Sequence, residues 1–181
     1  MPRIRPHALP IRIAGLLAAG LAVTSCSSGG QEAEREYTVP ASLCGTALPA
    51  STLEPLLPAG KKISPVKTGS PGFTRCRLVV DGRVAVTSII ERRESGTTLR
   101  NVAYGTYGMG SGSVTKGTRY VVSDAQAVGH VACGSPQKED HETFAMLRAE
   151  DVDAGKAAME KAITDLAGAV AATKGCTGQG A

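Results

Sequence analysis

The first 25 residues most constrain how this chain can fold, because they are typical of a segment that is removed during export. They contain three arginines and no acidic residue, and they include an apolar run of 11 residues, 13–23. A basic head and an apolar run of this length are typical of a secretory signal. The run is shorter than the ~20 residues that cross a bilayer as a helix. The sequence therefore predicts a domain that folds outside the cytoplasm.

The end of this segment resembles the lipobox of bacterial lipoproteins. The matching residues are Val23, Thr24, Ser25 and Cys26, with small residues just before a cysteine. The resemblance implies cleavage after Ser25 and a diacylglyceryl thioether on Cys26. Acyl chains that contribute ~0.8 kcal/mol per buried methylene would hold the protein on the outer face of the cell membrane. The alternatives are a soluble secreted protein and, less in keeping with the short run, an uncleaved membrane helix.

The chain is predicted to have three parts. Residues 1–25 are the signal, residues 26–36 are a lipidated N-terminus with a flexible tether, and residues 37–181 form one domain. The tether is small, polar and charged, so it cannot bury enough apolar surface to fold. As a coil it would span ~20 Å. The remaining length suits a single hydrophobic core.

The net charge gives no support for a nucleic-acid partner. The formal charge of the whole chain is +4, and the three arginines of residues 1–25 account for most of it, which leaves +1 for residues 26–181. A nearly neutral chain lacks the broad positive field of a nucleic-acid-binding protein. The membrane, reached through the N-terminal lipid, is the contact that the sequence predicts, and an envelope protein or a small ligand stays open as a partner.

The domain is expected to be cross-linked by disulfides. Aromatic residues make up 3% of the chain and tryptophan is missing, so the core must be built from aliphatic side chains. Four cysteines remain after Cys26, and an even number in an oxidising compartment predicts two disulfides. Three pairings are possible. We favour Cys44–Cys76 and Cys133–Cys176, because pairing in sequence order closes the shorter loops.

No metal site or cofactor is predicted. The cysteines lack the C-x-x-C spacing of zinc and thioredoxin-like redox sites. His130, Asp140, His141 and Glu142 could form a metal cluster, but adjacent loop residues seldom converge on one ion. We interpret them as a solvated loop and a half-buried strand histidine.

Residues 73–91 predict a β-hairpin. Apolar residues stand at even positions on both sides of Asp81-Gly82. A two-residue loop would pair even with odd positions. The pattern therefore predicts a three-residue loop, residues 80–82, with Leu78 opposite Val84 and Cys76 opposite Val86.

The last long segment predicts an amphipathic helix over residues 151–172. Its apolar positions repeat at intervals of three, four and seven residues, and they are Val152, Met159, Ile163, Leu166 and Val170. Gly175 would end the helix, with Cys176 just beyond it.

The remaining segments give weaker signals. Short helices are predicted within residues 37–58, one from Pro40 through Cys44 and one opened by a capping box of Ser51 and Glu54. A loop follows at 59–72. Residues 97–107 fit either a strand or a helix, and 105–117 read as a mobile glycine-rich loop. Strands are predicted at 119–122, 127–133 and 143–147, with a polar loop at 135–142.

Together these elements predict an α+β fold. It has an antiparallel sheet of about four to five strands, short N-terminal helices, and one long C-terminal amphipathic helix packed on one face. This layout resembles small secreted lipoproteins of unknown function from high-G+C Gram-positive bacteria, which combine a lipobox, a short tether and a cysteine-stapled domain. Here Arg77 and Leu78 stand where many members have an aromatic residue after the second cysteine. The resemblance implies no active site.

The sequence carries no convincing catalytic motif. A serine hydrolase would place its nucleophile in the pattern Gly-x-Ser-x-Gly, and Ser111 lies one position too late in Gly108–Gly112. The glycines of this stretch lack the lysine and the strand–helix frame of a phosphate loop. His130, His141 and Asp140 could supply a base, but nothing in the sequence brings them near Ser111.

The best candidate contact surface is the glycine-rich stretch. Tyr104, Tyr107, Met109 and Ser111 lie in or beside it, and exposed aromatic residues on a loop suit binding. In a chain this poor in aromatic residues, Tyr104 and Tyr107 fit a place in the core equally well.

We therefore expect a non-enzymatic binding or interaction module, anchored outside the cell membrane, with an unidentified ligand. One alternative is an envelope hydrolase or metal-dependent enzyme that uses His130 and His141. Another is an accessory structural subunit of an envelope complex, which would present an exposed apolar patch.

Overall fold

The computed structural model describes residues 34–115, 117–133, 141–173 and 176. The predicted signal, Cys26 and most of the predicted tether lie outside the described residues. The elements, in chain order, are β1 Ser42–Leu43, β2 Thr46–Ala47, α1 Ala50–Leu53, a 3-10 turn Glu54–Leu56, β3 Ile63–Ser70, β4 Phe73–Val80, β5 Arg83–Glu94, a π-helical turn Asn101–Thr106, β6 Ser113–Val114, β7 Tyr120–Val122, β8 Gln126–Val131, β9 His141–Ala149 and α2 Lys156–Ala171.

The predicted α+β class is confirmed, and the sheet is larger than predicted. Seven antiparallel strands follow the order β3-β4-β5-β9-β8-β7-β6. The strands β1 and β2 form a separate two-stranded hairpin. The prediction of four to five strands was wrong because two edge strands, β3 and β6, lie in segments that were predicted to be loops.

The strand β3 replaces the predicted loop at 59–72. All eight of its residues pair with β4, from Ile63 opposite Val80 to Ser70 opposite Phe73. The segment contains Pro65 and Gly69, which are unfavourable inside a sheet. At the edge only one side of the strand must hydrogen-bond, so a proline whose missing N–H faces outward is tolerated.

The β4–β5 turn differs from the predicted three-residue loop. Val80 pairs with Arg83, so the loop has two residues, and both Asp81 (φ 49°) and Gly82 (φ 85°) are left-handed, as in a type I′ turn. A β-bulge then shifts the register, so that Val79 faces Val84 while Leu78 faces Val86. The bulge, rather than a longer loop, restores the pairing of even with even positions.

The main core lies between one face of the sheet and α2. Met159, Ile163 and Leu166 of α2 are fully buried there, against Leu78 and Leu147 of the sheet. The helix begins at Lys156, five residues later than predicted, because Gly155 adopts φ 75° and ends the preceding extended chain. Val152 precedes the helix and is only partly buried against the same core. The predicted cap, Gly175, lies outside the described residues.

The N-terminal part of the domain is a hairpin and one helical turn rather than two short helices. Cys44 (φ 49°) and Gly45 (φ 98°) form a left-handed two-residue turn between β1 and β2, where a helix from Pro40 was predicted. The helix α1 begins after Pro49, and no side chain caps it. The predicted capping box fails because Ser51 lies inside the helix rather than at its N-cap.

The second face of the sheet has its own core. Residues 97–107, which fitted either a strand or a helix, contain the π-helical turn Asn101–Thr106, and this turn buries Val102 and Ala103. Met109 follows them, and the three pack against Phe144 and Met146 of β9. The sheet is therefore covered on both faces, by helices on one and by residues 97–112 on the other.

Two disulfides join distant segments of the domain, and their pairs are those favoured from the sequence. Cys44 of the β1–β2 turn pairs with Cys76 of β4, with Cα atoms 5.8 Å apart. Cys133, two residues after β8, pairs with Cys176 beyond α2, with Cα atoms 4.7 Å apart. Both Cα distances lie within the usual range for disulfides.

Gly129 of β8 lies where α2 packs on the sheet, and we expect any larger side chain there to destabilise the domain. A Cβ atom built there lies 2.6 Å from Cδ1 of Tyr120 and 3.1 Å from Cγ1 of Ile163. Gly129→Ala should lower the free energy of unfolding by roughly 1–3 kcal/mol through overpacking, measured by urea denaturation. The control is Gly168→Ala on the exposed side of α2, where a Cβ atom meets nothing within 4 Å and helix propensity favours alanine. Equal stability of Gly129→Ala and the parent would contradict this account of the packing.

Candidate functional site

A pocket of about 290 Å³ opens at one end of the sheet, on the face that carries α2. Its floor is formed by Thr74 of β4, Ile90 of β5 and Thr143 of β9. The register pairs Thr74 with Ile90, and these residues lie on the same face as the main core. The helix α2 ends at Ala171, so among the described residues it does not extend over this end of the sheet.

The walls of the pocket come from the helix terminus and one disulfide. Val170 and Thr173 belong to the end of α2, and Cys133 and Cys176 form the disulfide beside them. Phe73 lies at the opposite rim. Aliphatic side chains and the disulfide thus lie beside threonine hydroxyls and Arg92, an arrangement that suits a small molecule with an apolar body and one polar group.

The described chain enters the domain at the other end of the sheet. Glu36 N donates to Gly60 O at 2.8 Å, and Arg35 pairs with Gly60 in a parallel bridge. A Cβ built on Gly60 would lie 2.5 Å from Val80, so this contact is at the C-terminal end of β4. The pocket is at the start of β4, about 23 Å away along seven residues of strand. The N-terminal segment and the pocket therefore occupy opposite ends of the sheet.

The arginine at the N-terminal end holds the chain to the domain. Arg35 donates through Nη2 to the carbonyl oxygens of Glu54 (3.1 Å) and Leu57 (2.6 Å). Tyr37 donates to the carbonyl oxygen of Pro58. The pKa of Tyr37 is raised because its phenol is partly buried, so the hydroxyl keeps its proton and remains a donor.

The two histidines that were candidates for catalysis lie on opposite faces of the sheet. His130 pairs with Phe144, so it shares the second face with that ring, and its Nε2 lies 2.5 Å from Glu142 Oε2. His141 pairs with Glu94 and is three residues from Phe144 on β9, so strand alternation turns it to the face of α2. The structure thus joins His130 to one carboxylate and separates it from His141.

The glycine-rich stretch is largely folded into the second core. Met109 is 3% exposed, and Tyr104 donates to Gly112 O at 3.1 Å. Ser111 is exposed in the turn before β6, which pairs with β7 inside the stretch that was predicted to be mobile. The packing of the two tyrosines matches the core alternative of the sequence analysis. A binding role for these four residues stays a prediction.

Tyr107 forms part of a buried polar cluster on the second face. Its hydroxyl donates to Glu91 Oε1 at 2.9 Å, and Arg93 Nη2 lies 2.8 Å from Glu91 Oε2. The Glu91 side chain is 7% exposed, so the arginine compensates a carboxylate that has lost most of its water. Burial raises the pKa of Tyr107, and the Glu91 carboxylate raises it further. The phenol therefore stays protonated and fastens residues 97–112 to the sheet.

Within the described residues, no three His, Cys, Asp or Glu side chains are grouped closely enough to hold a metal ion. Asp140, one member of the candidate metal cluster, lies outside those residues. The described helices also lack the length and apolar character of a membrane-spanning segment.

Comparison with known proteins provides no relative from which a role could be inferred. The chain matches no protein-family model, no curated protein sequence and no solved structure.

Sequence reasoning missed the pocket altogether. Its lining comes from β4, β5, β9 and the end of α2, with nearly a hundred residues between Thr74 and Val170. The sequence did show that the apolar face of the predicted helix ends at Val170, close to the predicted disulfide at Cys176. This pattern indicates where the helix stops covering the sheet, but it does not identify which sheet residues lie beneath that point.

Proposed function

We propose that this protein is a lipid-anchored, extracytoplasmic binding module that takes a small amphipathic ligand in the pocket at the end of α2. It acts without chemical conversion of the ligand. The anchor is a diacylglyceryl group on Cys26, and the ligand has an apolar ring or chain with one hydrogen-bonding group. The proposal is supported chiefly by the position of the pocket, at the end of the sheet opposite Arg35 and Gly60.

This arrangement suits an anchored binder for a geometric reason. A tether of about ten residues spans only ~20 Å, so the end of the domain that carries the N-terminus stays near the bilayer. The pocket then opens away from the membrane, toward solutes of the envelope. Its volume of about 290 Å³ is near the lower end of the ~300–1,000 Å³ typical of small-molecule sites. A ligand of one ring, rather than a polymer or a peptide, is the size that fits.

The lining suits a ligand that is mostly apolar and carries its polar group near Arg92, which also lines the pocket. Ile90 and Val170 supply apolar contact, and Thr74, Thr143 and Thr173 supply hydroxyls that donate or accept. Burying one ring against the aliphatic floor contributes ~25 cal/mol per Å² of apolar surface removed from water. Hydroxyl groups at the rim would then orient the polar end of the ligand.

The anchor is tested by mass spectrometry of the protein purified from a bacterial host that processes lipoproteins. We expect a mature chain that begins at Cys26 and carries the mass of two or three acyl chains. A mature mass that still includes residues ahead of Cys26, or that lacks acyl chains, would refute the anchored form of the proposal.

The pocket is tested by titration with indole, phenol and cyclohexanol, followed by NMR of the backbone amides. We expect saturable shifts at Thr74, Ile90 and Thr143. Thr143→Trp should fill the pocket and abolish them, whereas Thr68→Trp, an exposed control outside this pocket, should leave them unchanged. Shifts that do not saturate, or that survive in Thr143→Trp, would contradict a ligand site here.

A further inference from the structure

The two edges of the sheet differ in what they offer to a partner. On one side the sheet ends with β6, which has two residues. On the other it ends with β3, which has eight, and six of these, from Pro65 to Ser70, are exposed. A long exposed edge strand presents a row of backbone groups that another extended chain can use. Within the described sheet, β3 is therefore the edge that is open to strand addition.

The hydrogen-bonding pattern identifies which groups of β3 face outward. Asp81 N donates to Lys62 O at 3.0 Å, so Lys62 bonds toward β4. Antiparallel strands alternate between residues that bond to the neighbour and residues that point away. The outward-facing residues are Ile63, Pro65, Lys67 and Gly69. They present four carbonyl oxygens and three N–H groups, since proline has none.

The same edge carries a concentrated positive charge. Residues 61–80 contain five cations and no acidic residue, whereas the whole chain has 20 basic and 16 acidic residues. The five cations are Lys61, Lys62, Lys67, Arg75 and Arg77. Neither Lys67 nor Arg77 forms an ion pair with a described residue. The edge thus has an electrostatic preference for acidic chains.

An apolar groove of about 260 Å³ runs beside β3 on the face of α2. It lies between β3 and the β1–β2 hairpin, and it is lined mainly by Pro40, Ile63, Pro65, Leu78 and Cys44 of the disulfide. Arg75 and Arg77 project on the other face, because they alternate with buried Cys76 and Leu78. The two sides of an added strand would therefore meet different surroundings. One is apolar beside Ile63 and Pro65, with Lys67 further along the same face, and the other is cationic.

We propose that β3 binds an extended segment of a partner protein, which adds to the sheet as an eighth strand. The segment carries acidic side chains on one face, toward Arg75 and Arg77, and small apolar side chains on the other, in the groove beside Ile63 and Pro65. Backbone hydrogen bonds supply affinity and the alternating side chains supply specificity. Lys67 and Pro65 discourage pairing with another copy of β3, since like charges would meet and one donor is missing.

The probe for this interaction is a capped peptide of alternating residues, Glu-Val-Glu-Val-Glu-Val-Glu, added to the intact protein. We expect saturable binding that weakens with added salt, and slower hydrogen exchange at the amides of Lys67 and Gly69. Lys67→Pro removes one outward N–H and the Lys67 ammonium without removing a bond to β4. It should weaken binding roughly three- to tenfold more than Lys67→Gln, which removes only the charge, and that ratio is the effect of one net hydrogen bond.

Arg77→Gln should weaken binding by a similar factor. The matched control is Arg148→Gln, the same change on the same face but two strands further from the edge, because Arg77 and Arg148 both pair with Thr87. It should bind the peptide as the parent does. Two peptide controls, one with lysine in place of glutamate and one with N-methylated alternate amides, should fail to bind. The second control tests the backbone bonds without altering the protein.

Several outcomes would overturn the proposal. One is equal binding of the lysine peptide, and another is unchanged binding of the N-methylated peptide. Protection of amides outside β3 would also overturn it. Binding of phosphatidylglycerol vesicles through Lys67 and Arg77, with no binding of the glutamate peptide, would assign the edge to the membrane instead. A dimer that Lys67→Pro disrupts would assign it to a second copy of the chain.

Discussion

Loss of the Cys44–Cys76 disulfide, by Cys44→Ala with Cys76→Ala, is expected to lower the free energy of unfolding by about 4 kcal/mol. The bond spans a sequence separation of 32 residues, and in the chain-entropy model a loop of this length restricts the unfolded chain by about that amount. It also fastens the β1–β2 hairpin to β4, where Leu43 of β1 and Leu78 of β4 are buried, at 2% and 1% exposed. The measurement is urea denaturation of the oxidised variant and parent.

The second disulfide provides the control for this experiment. Cys133 and Cys176 are separated by 43 residues, so their removal should cost a similar ~4 kcal/mol in the same model. The local consequences should differ. Loss of Cys44–Cys76 should speed hydrogen exchange in residues 40–48, and loss of Cys133–Cys176 should do so at the end of α2. An unchanged free energy of unfolding in both variants, or free thiols in the parent, would show that the disulfides do not stabilise this domain.

Phe144→Ala is expected to lower the free energy of unfolding by about 3–5 kcal/mol. Phe144 is 1% exposed and lies at the centre of the second core, and its ring centroid is 5.3 Å from that of His130. Alanine would leave a cavity under residues 97–112 that aliphatic neighbours cannot fill. Residues 97–112 are held mainly by the second core, whereas α2 packs against the main core. Hydrogen exchange in residues 97–112 should therefore rise more than that in α2. Urea denaturation measures the first effect and exchange mass spectrometry the second.

The control is Phe73→Ala, which changes the only other phenylalanine of the chain. Phe73 is partly exposed and lies at the edge of the same core, with the Arg75 guanidinium 5.4 Å from its ring centroid. Its loss should cost about 1–2 kcal/mol, because less apolar surface is buried. A larger loss for Phe73→Ala than for Phe144→Ala would mean that the second core is not organised around Phe144.

The glycine-rich stretch shows where composition misleads. Seven glycines from position 96 to position 129 suggest a chain that cannot stay ordered, and residues 105–117 were predicted to be mobile. The buried side chains of that region are few, and Val102, Met109 and Val121 all pack into the second core. A Cβ at Gly112 would lie 2.8 Å from Val121. The glycine there permits close packing.

The spacing of apolar residues along the chain was sufficient to predict those elements whose buried face repeats at a regular interval. The stripe of Met159, Ile163, Leu166 and Val170 predicted α2, and all four are buried. The even-numbered apolar positions of β4 and β5 predicted the hairpin and the face it buries. Pairing the cysteines in sequence order predicted both disulfides. In each case residues close in the chain, or a simple loop-length argument, carry the information.

The open β3 edge, the bulge after the β4–β5 turn and the pocket depended on contacts between segments far apart in the chain. The strand β3 has poor intrinsic β-propensity and is held by its pairing with β4. The pocket forms where α2 stops short of the sheet's end, so its floor and walls come from segments whose spacing along the chain says nothing about their distance in space. A repeating pattern shows which face a segment buries. Where the covering layers end, and which edge and surface they leave free, depends on how those segments pack together.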